Sequence, residues 1–317
     1  MLLDGTVFRG ESGNYSVRVR GGTQVYVVRL RGNLKKDLEY STSGSRPRRV
    51  MRTRKRCTTD PVAVGDTVTF DPNTKTIERV AARRSELART SPSGHEQHVL
   101  VANLDNVFVT CSAANPQPDF WLLDRFLVAS EAADLVAQII VNKMDLAVDA
   151  DETRREFEVY ERVGYRVHFV SAKAGEGIDG LTRELMGRIS AFAGPSGVGK
   201  SSLLNTIQPG LKLKTGVVGE ITHKGRHTTT TAELIPIAFD ADTWVADTPG
   251  LRQMHFWEVD KAEIEYCFPE FDLLIGQCQF GNCTHQTEPG CGVRDAVRQG
   301  AINQRRYESY VQIVNGV

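Results

Sequence analysis

Between residues 1 and 80 apolar and polar positions alternate in short runs, GTVFRG, YSVRVR, QVYVVRL, DTVTF and KTIERV, with Gly, Asn and Pro between them. A period of two, broken by turn formers, predicts strands that each bury one face, and such strands in so short a span predict a small antiparallel barrel. RRSELART reads as a link, and from about residue 98 the texture changes. NVFVTCSA and AQIIVN are continuous apolar runs, as in buried strands, while FWLLDRFLVASEAA and DETRREFEVYERV carry apolar residues at helical spacing. YRVHFVSAK is strand then loop, a helix follows from GIDGLTRELM, and ISAFAGPSGVGKSSLLNTI is strand, glycine loop, helix. ELIPIAF and TWVADTPG read as strands. Beyond about residue 258 the chain turns helical, then polar around its cysteines, then helical again over RDAVRQGAINQRRYESYVQIV. Three domains are expected: an OB-like β-barrel with a basic loop over 1–85, an α/β domain over 96–256 and a mainly helical domain over 257–317.

Composition changes this picture little. Hydrophobic content of 40% and charged content of 25% suit a globular chain, and a formal net charge of zero confines any nucleic-acid binding to local patches. The N-terminal MLLDGTVFRGESGNYSV lacks a basic-then-apolar leader pattern, and no apolar run approaches the ~20 residues of a membrane span. A cytoplasmic protein without membrane contact is expected. The cysteines do change the picture. Cys57, Cys111 and Cys267 are scattered, whereas CQFGNCTHQTEPGC sets Cys278, Cys283, His285 and Cys291 at C-x₄-C-x-H-x₅-C. In a reducing compartment four such donors in one loop-rich stretch predict a closed tetrahedral Zn²⁺ site that is structural, with Cys267 left to the core.

Two short motifs carry the chemistry. GPSGVGKSS, Gly194, Pro195, Ser196, Gly197, Val198, Gly199, Lys200, Ser201 and Ser202, fits the phosphate-binding loop G-x-x-x-x-G-K-[ST] between an apolar strand and a helix. Its backbone N–H groups can wrap a β-phosphate, Lys200 can reach the β- and γ-phosphates, and Ser201 can ligate Mg²⁺. NKMD, Asn142, Lys143, Met144 and Asp145, follows a strand. An aspartate there can accept from the N1–H and exocyclic amine of guanine, a donor pair adenine lacks, while Asn142 and Lys143 brace the loop. SAK, Ser171, Ala172 and Lys173, ends the next strand and can offer a backbone N–H, that of Ala172, to guanine O6. In DTPG, Asp247 can hold Mg²⁺ through water and the Gly250 N–H can sense the γ-phosphate. KGRHTTTTAEL lies where a first switch segment belongs; one of Thr228 to Thr231 is expected on Mg²⁺, with Thr228 or Thr229 favoured.

The order of these motifs is unusual. In GTPases the phosphate loop ordinarily leads; here it follows NKMD and SAK. A circular permutation accounts for this, because strand neighbours in space are unchanged when the chain is opened elsewhere. It also makes the segment after DTPG run directly into the C-terminal region, so a γ-phosphate-dependent movement there can be handed on.

With the barrel, the permuted motifs and the cysteine cluster together, the chain resembles over its whole length the family of circularly permuted GTPases called ribosome small subunit-dependent GTPase A. The resemblance implies an N-terminal OB-fold, a central circularly permuted P-loop GTPase domain and a zinc-bearing C-terminal domain. It implies action in late maturation of the small ribosomal subunit, as a GTP-to-GDP hydrolase that is slow alone and faster on that subunit and its rRNA. It places the nucleotide-binding groups on Asn142, Lys143 and Asp145, on Gly194 to Ser202 and on Asp247 to Gly250, and the zinc ligands on the four residues named above. A monomer is expected.

Two readings stay open. On the barrel, Phe8, Tyr15 and Tyr26 can stack bases and Arg18, Arg20, Arg29 and Arg31 can meet phosphates, or the aromatics fill the core and the arginines are simply solvated. The stretch from Lys35 to Arg56 is rich in Arg and longer than the family pattern, and suits RNA contact or a loop of no defined role. The position after DTPG is Leu251, where many GTPases carry a glutamine that orients water, so the isolated chain is expected to be slow. His227 and His255 are candidates to act instead. The family's histidine follows a tryptophan after DTPG; here Glu258 follows Trp257.

Overall fold

A computed structural model of the chain describes residues 1–31, 61–90, 97–211, 232–238, 240–247 and 259–316. The described residues form two compact units, one within Met1–Asn106, Leu181–Phe192 and Gly219–Phe256, the other within Val107–Gly180, Ala193–Val218 and Trp257–Val317.

The first unit opens with the expected barrel. Strands β1 (Leu3–Glu11), β2 (Asn14–Val19), β3 (Val25–Leu30), β4 (Thr67–Asp71) and β5 (Thr76–Val80) pair in the order β1-β2-β3-β5-β4, and β4 pairs back onto β1, closing it. The alternation seen in the sequence delivers the core: Val7, Val17, Val28, Val68, Phe70 and Ile77 are fully buried. Tyr15 and Tyr26 are partly buried and pack against that core, with Tyr26 5.2 Å from the Phe70 ring. Arg29 donates to Asn14 Oδ1 and Arg31 pairs with Glu78 at 2.5 Å, so both have partners within the barrel. The presumed link RRSELART is itself a strand, β6 (Glu86–Thr90), antiparallel to β7 (Gln97–Ala102). Asp66, fully buried, anchors it from the barrel side by taking both Arg83 Nε and Nη2 at 2.8 Å.

In the second unit, β8 (Asn106–Ser112), β9 (Ala137–Asn142) and β10 (Arg166–Phe169) are parallel and adjacent. Helices α1 (Phe120–Ala132) and α2 (Ala150–Arg162) connect them, each capped by an aspartate, Asp119 and Asp149, whose carboxylate accepts first-turn N–H groups. All residues of β8 and β9 are buried, which is why these runs carry no polar alternation.

After α3 (Ile178–Leu185) the chain returns to the first unit with β11 (Ile189–Ala193), which pairs parallel with β13 (Trp244–Asp247); β12 (Glu233–Pro236) pairs antiparallel with β13 and touches β1 at Arg9↔Glu233. The barrel joins these strands through Trp244, 2% exposed, whose ring stacks on Phe8 at 5.9 Å and carries the Arg18 guanidinium at 5.3 Å.

The C-terminal region belongs to the second unit. A 3₁₀ turn over Lys261–Cys267 precedes the cysteine loop, and the last helical stretch is two helices, α5 (Gly292–Arg298) and α6 (Gln304–Asn315), after the glycine-looped α4 (Lys200–Ile207). The break falls at Gly300, φ +76°, a backbone state that ends a helix. Phe268, Phe271, Val293 and Tyr310 pack with Val128 of α1, and Cys267 lies among them as a core residue. Arg306 of α6 is fully buried, bonded to Asp124 of α1 at 2.6 Å and to Glu270 at 2.7 and 3.0 Å; Tyr160 of α2 donates to the same Asp124.

Candidate functional site: a nucleotide cradle and a metal knuckle

β11 runs into Gly194, and the loop to Gly199 precedes α4. Two of its glycines are required by close approach. A Cβ on Gly194, at φ +128°, would lie 2.1 Å from the Thr110 carbonyl oxygen, and one on Gly199, at φ +96°, 2.4 Å from Asn142 Nδ2. The buried Lys200 ammonium donates to the Gly194 and Pro195 carbonyls, both at 2.7 Å, which folds its side chain back over the loop. Ser201 Oγ is buried and has no hydrogen-bond partner among the described residues. An orphaned hydroxyl at this position of a phosphate loop fits a Mg²⁺ ligand, since buried polar atoms are rarely left unpaired without a reason.

Asn142, at the end of β9, ties the loops together. Its Nδ2 donates to Val198 O at 2.9 Å and its Oδ1 accepts from Ala172 N at 3.1 Å. Lys143 follows in a left-handed conformation, φ +63°, and its Nζ reaches the carbonyl of Asn115. Met144 N donates to Val170 O, setting the loop beside the SAK turn. Asp145 accepts from Ser171 Oγ at 2.6 Å through one oxygen, Oδ1, while the other has no partner among the described residues. The arrangement can present a carboxylate oxygen to a purine's donor edge while the hydroxyl behind it sets its angle. Asn142 to Asp145, Ser171 to Lys173 and Gly194 to Ser202 thus come together in one unit. One expectation needs adjustment: the Ala172 N–H is taken by Asn142 Oδ1. Asp247 ends β13 in the first unit. Thr228 to Thr231, His227, Gly250, Leu251, His255, Trp257, Glu258 and the stretch from Lys35 to Arg56 lie outside the described residues.

The second cluster is the cysteine loop. Ligand atoms of Cys278, Cys283, His285 and Cys291 lie within 4.8 Å of one another. Cys278 Sγ is 3.5 Å from His285 Nδ1 and 4.0 Å from Cys291 Sγ, and His285 Nδ1 is 3.4 Å from Cys291 Sγ. Bonds of ~2.3 Å to sulfur and ~2.0 Å to nitrogen around a tetrahedral ion give edges of about 3.5–3.8 Å, so the donor set fits Zn²⁺. His285 Nε2 contacts Glu265 Oε2 at 2.8 Å, which leaves Nδ1 as the ligand atom. Burial pulls the His285 pKa down, but Glu265 and Cys291 outweigh it and carry it to about 9. Outside the ligands, Tyr307 and Tyr310 of α6 donate to the His285 and Thr284 carbonyls at 2.7 and 2.9 Å. Glu288 accepts from Thr284 Oγ1 and the loop amides of Thr284, Gln286 and Thr287; these bonds, the Thr284 side chain's foremost, hold its carboxyl down to about 2. Glu265, twenty positions from His285, gave no signal in the sequence, because spacing rules see only neighbours along the chain.

The comparisons with known proteins agree with the geometry. The family model described as RsgA GTPase matches residues 80–257. The chain belongs to the RsgA GTPase family. Its members are GTP-hydrolysing enzymes, and the chain is one of them. Among relatives of the family, the small ribosomal subunit biogenesis GTPase RsgA of Gemmatimonas aurantiaca is 40% identical over 98% of this chain and 95% of its own length. The protein of the same description from Moorella thermoacetica is 39% identical over 98% of this chain and 95% of its own. Among solved RsgA-like structures, YjeQ from Thermotoga maritima superposes with a TM-score of 0.77 at 32% identity, covering 100% of this chain and 98% of that one. YloQ, described as a circularly permuted GTPase, gives 0.71 at 29% identity over 100% and 95%. The fold is therefore that of a permuted GTPase with an N-terminal closed barrel.

Proposed function

We propose that the chain is a GTPase of small ribosomal subunit biogenesis that binds the subunit and its rRNA in the GTP state and leaves after hydrolysis. The observation that carries the nucleotide part is the Asn142 side chain, which holds the phosphate loop at Val198 and the base-reading turn at Ala172 at once. That bridge holds the phosphate loop beside the base-reading turn, as a nucleotide spanning both requires. Asp145 selects guanine, and Gly194 to Ser202 wrap the phosphates with Lys200 as their cation. Magnesium, when bound, neutralises charge on the β- and γ-phosphates. Ser201, Asp247 and a threonine of the Thr228 to Thr231 run hold it, Gly250 contacts the γ-phosphate, and His255 is the candidate to guide the attacking water. Zn²⁺ on Cys278, Cys283, His285 and Cys291 holds the C-terminal part. The ribosomal part rests on the relatives, whose printed descriptions name small ribosomal subunit biogenesis. The chain works as a monomer in the cytoplasm, with domains at 1–85, 96–256 and 257–317.

Leu251 cannot orient the nucleophile as a glutamine would, so basal turnover falls below the ~1–10³ s⁻¹ of typical enzymes until the subunit orders His255 or supplies the missing group. The test is GTP turnover with and without small ribosomal subunits. Stimulation of about tenfold or more is expected, equivalent to ~1.4 kcal/mol off the barrier, and Lys200→Ala removes both rates. Equal rates in a buffer that supports co-sedimentation refute the proposal that the subunit is the activator.

A further inference from the structure

The SAK turn presents four successive backbone N–H groups, and three of them are occupied. Ala172 N–H donates to Asn142 Oδ1, Ala174 N–H to Ser171 Oγ and Gly175 N–H to Ser171 O. The Lys173 N–H has no acceptor among the described residues, in a turn where its neighbours all do. The carbonyl of the same peptide, Ala172 O, is held at 2.9 Å by the hydroxyl of Thr206, one turn and a half along α4 from Lys200. In a trans peptide the C=O and N–H point in opposite directions within one plane, so fixing Ala172 O also fixes the heading of the Lys173 N–H. The one hydroxyl proton of Thr206 is shared with Ser202 O, the usual back-bond acceptor of a helical threonine, which lies equally close at 2.9 Å. Its reach to a carbonyl 34 positions away in the chain is what a helix-stabilising role leaves unexplained.

We propose that Thr206 is a positioning residue for base recognition, holding the Ala172–Lys173 peptide so that the Lys173 N–H meets the 6-oxo group of guanine. The inference rests on the GTP-binding reading above. It ties base selectivity to the phosphate helix, because the residue that aims the O6 donor belongs to the helix that begins at Lys200.

The test compares nucleoside diphosphates differing at one edge position, bound to the full chain, its Thr206→Val variant and its Thr206→Ser variant. In 6-thio-GDP a sulfur, a poor acceptor, replaces O6 and the edge facing Asp145 is kept; IDP lacks only the 2-amino group. Thr206→Val is expected to shrink the preference for GDP over 6-thio-GDP by about three- to tenfold, the worth of one modest hydrogen bond. The preference for GDP over IDP stays as in the wild type, and Thr206→Ser restores the first ratio. A valine variant in which both ratios move together, or neither moves, overturns the positioning role. A wild-type chain that fails to prefer GDP over ADP overturns the underlying nucleotide reading instead.

Discussion

The second unit carries two ligand sites whose construction is opposite. In the nucleotide cradle the protein supplies its own stand-ins. The Lys200 ammonium sits on two loop carbonyls, Asn142 bridges Val198 and Ala172, and the loop is already shaped. In the metal knuckle the four donor atoms converge chiefly on one another, and the chain around them at Phe280, Gly281, Asn282, Pro289 and Gly290 is exposed. Much of the cradle's polar framework is paired within the protein, while Ser201 Oγ has no partner among the described residues. The knuckle loop is held from outside by Glu265, Glu288, Tyr307 and Tyr310, while its four donor atoms face one another, so an ion held by all four would add to the fold energy.

The largest effect expected is at the knuckle. Metal analysis of the wild type is expected to give roughly one Zn²⁺ per chain, Cys283→Ser should lose it, and limited proteolysis should then cut after residue 258. GTP affinity measured on the same sample should change little, because the cradle bonds of Asn142, Lys200 and Ser171 described above are made to the cradle's own loops; a parallel collapse in GTP binding would break the contrast. Next in size is the joint between α6 and the GTPase helices. Arg306→Met removes the cation and leaves Asp124 and Glu270 buried without their shared partner, a change expected to cost about 3–5 kcal/mol of stability in urea unfolding. A loss below ~1 kcal/mol would show that water or protonation relieves the carboxylates. Smallest is the cradle itself. Asp145→Asn should weaken GTP by about 2–4 kcal/mol in titration calorimetry and favour xanthine nucleotides, whose 2-oxo group suits an amide donor, with stability unchanged. Loss of stability along with affinity would mean that the Ser171–Asp145 bond also supports the fold.

The sequence made the strands and helices legible where burial is two-state: the alternating barrel runs, the continuous apolar β8 and β9, and the capped α1 and α2 are where their patterns put them. It also marked the phosphate loop and the knuckle, because both bind through residues close together in the chain. It misread RRSELART, since a five-residue strand with three charged or polar positions resembles a linker when its partner cannot be seen. It missed Thr206, Glu265 and the Arg306–Asp124–Glu270 cluster for one physical reason. Each acts across 20 or more positions, 182 for Arg306 and Asp124, and no periodicity encodes such a pairing. The buried arginine was the most hidden, because a lone Arg on an amphipathic helix reads as solvated until its partners are located.

Strand β1 has a consequence for anyone who would cut this molecule into parts. Its first half closes the barrel against β4, while Arg9 further along borders β12. One strand therefore closes the barrel and also borders β12 within a single sheet, and the barrel is not a bead that can be snipped from its thread. A truncation beginning at residue 81 would remove the β1 side of β12, leaving β13 as its strand partner, and uncover the Trp244 ring, a strand edge beside an aromatic surface that invites aggregation. Chimeras that exchange the barrel among relatives should therefore carry a matching residue at 244, and soluble expression is the quantity on which that matching will register first.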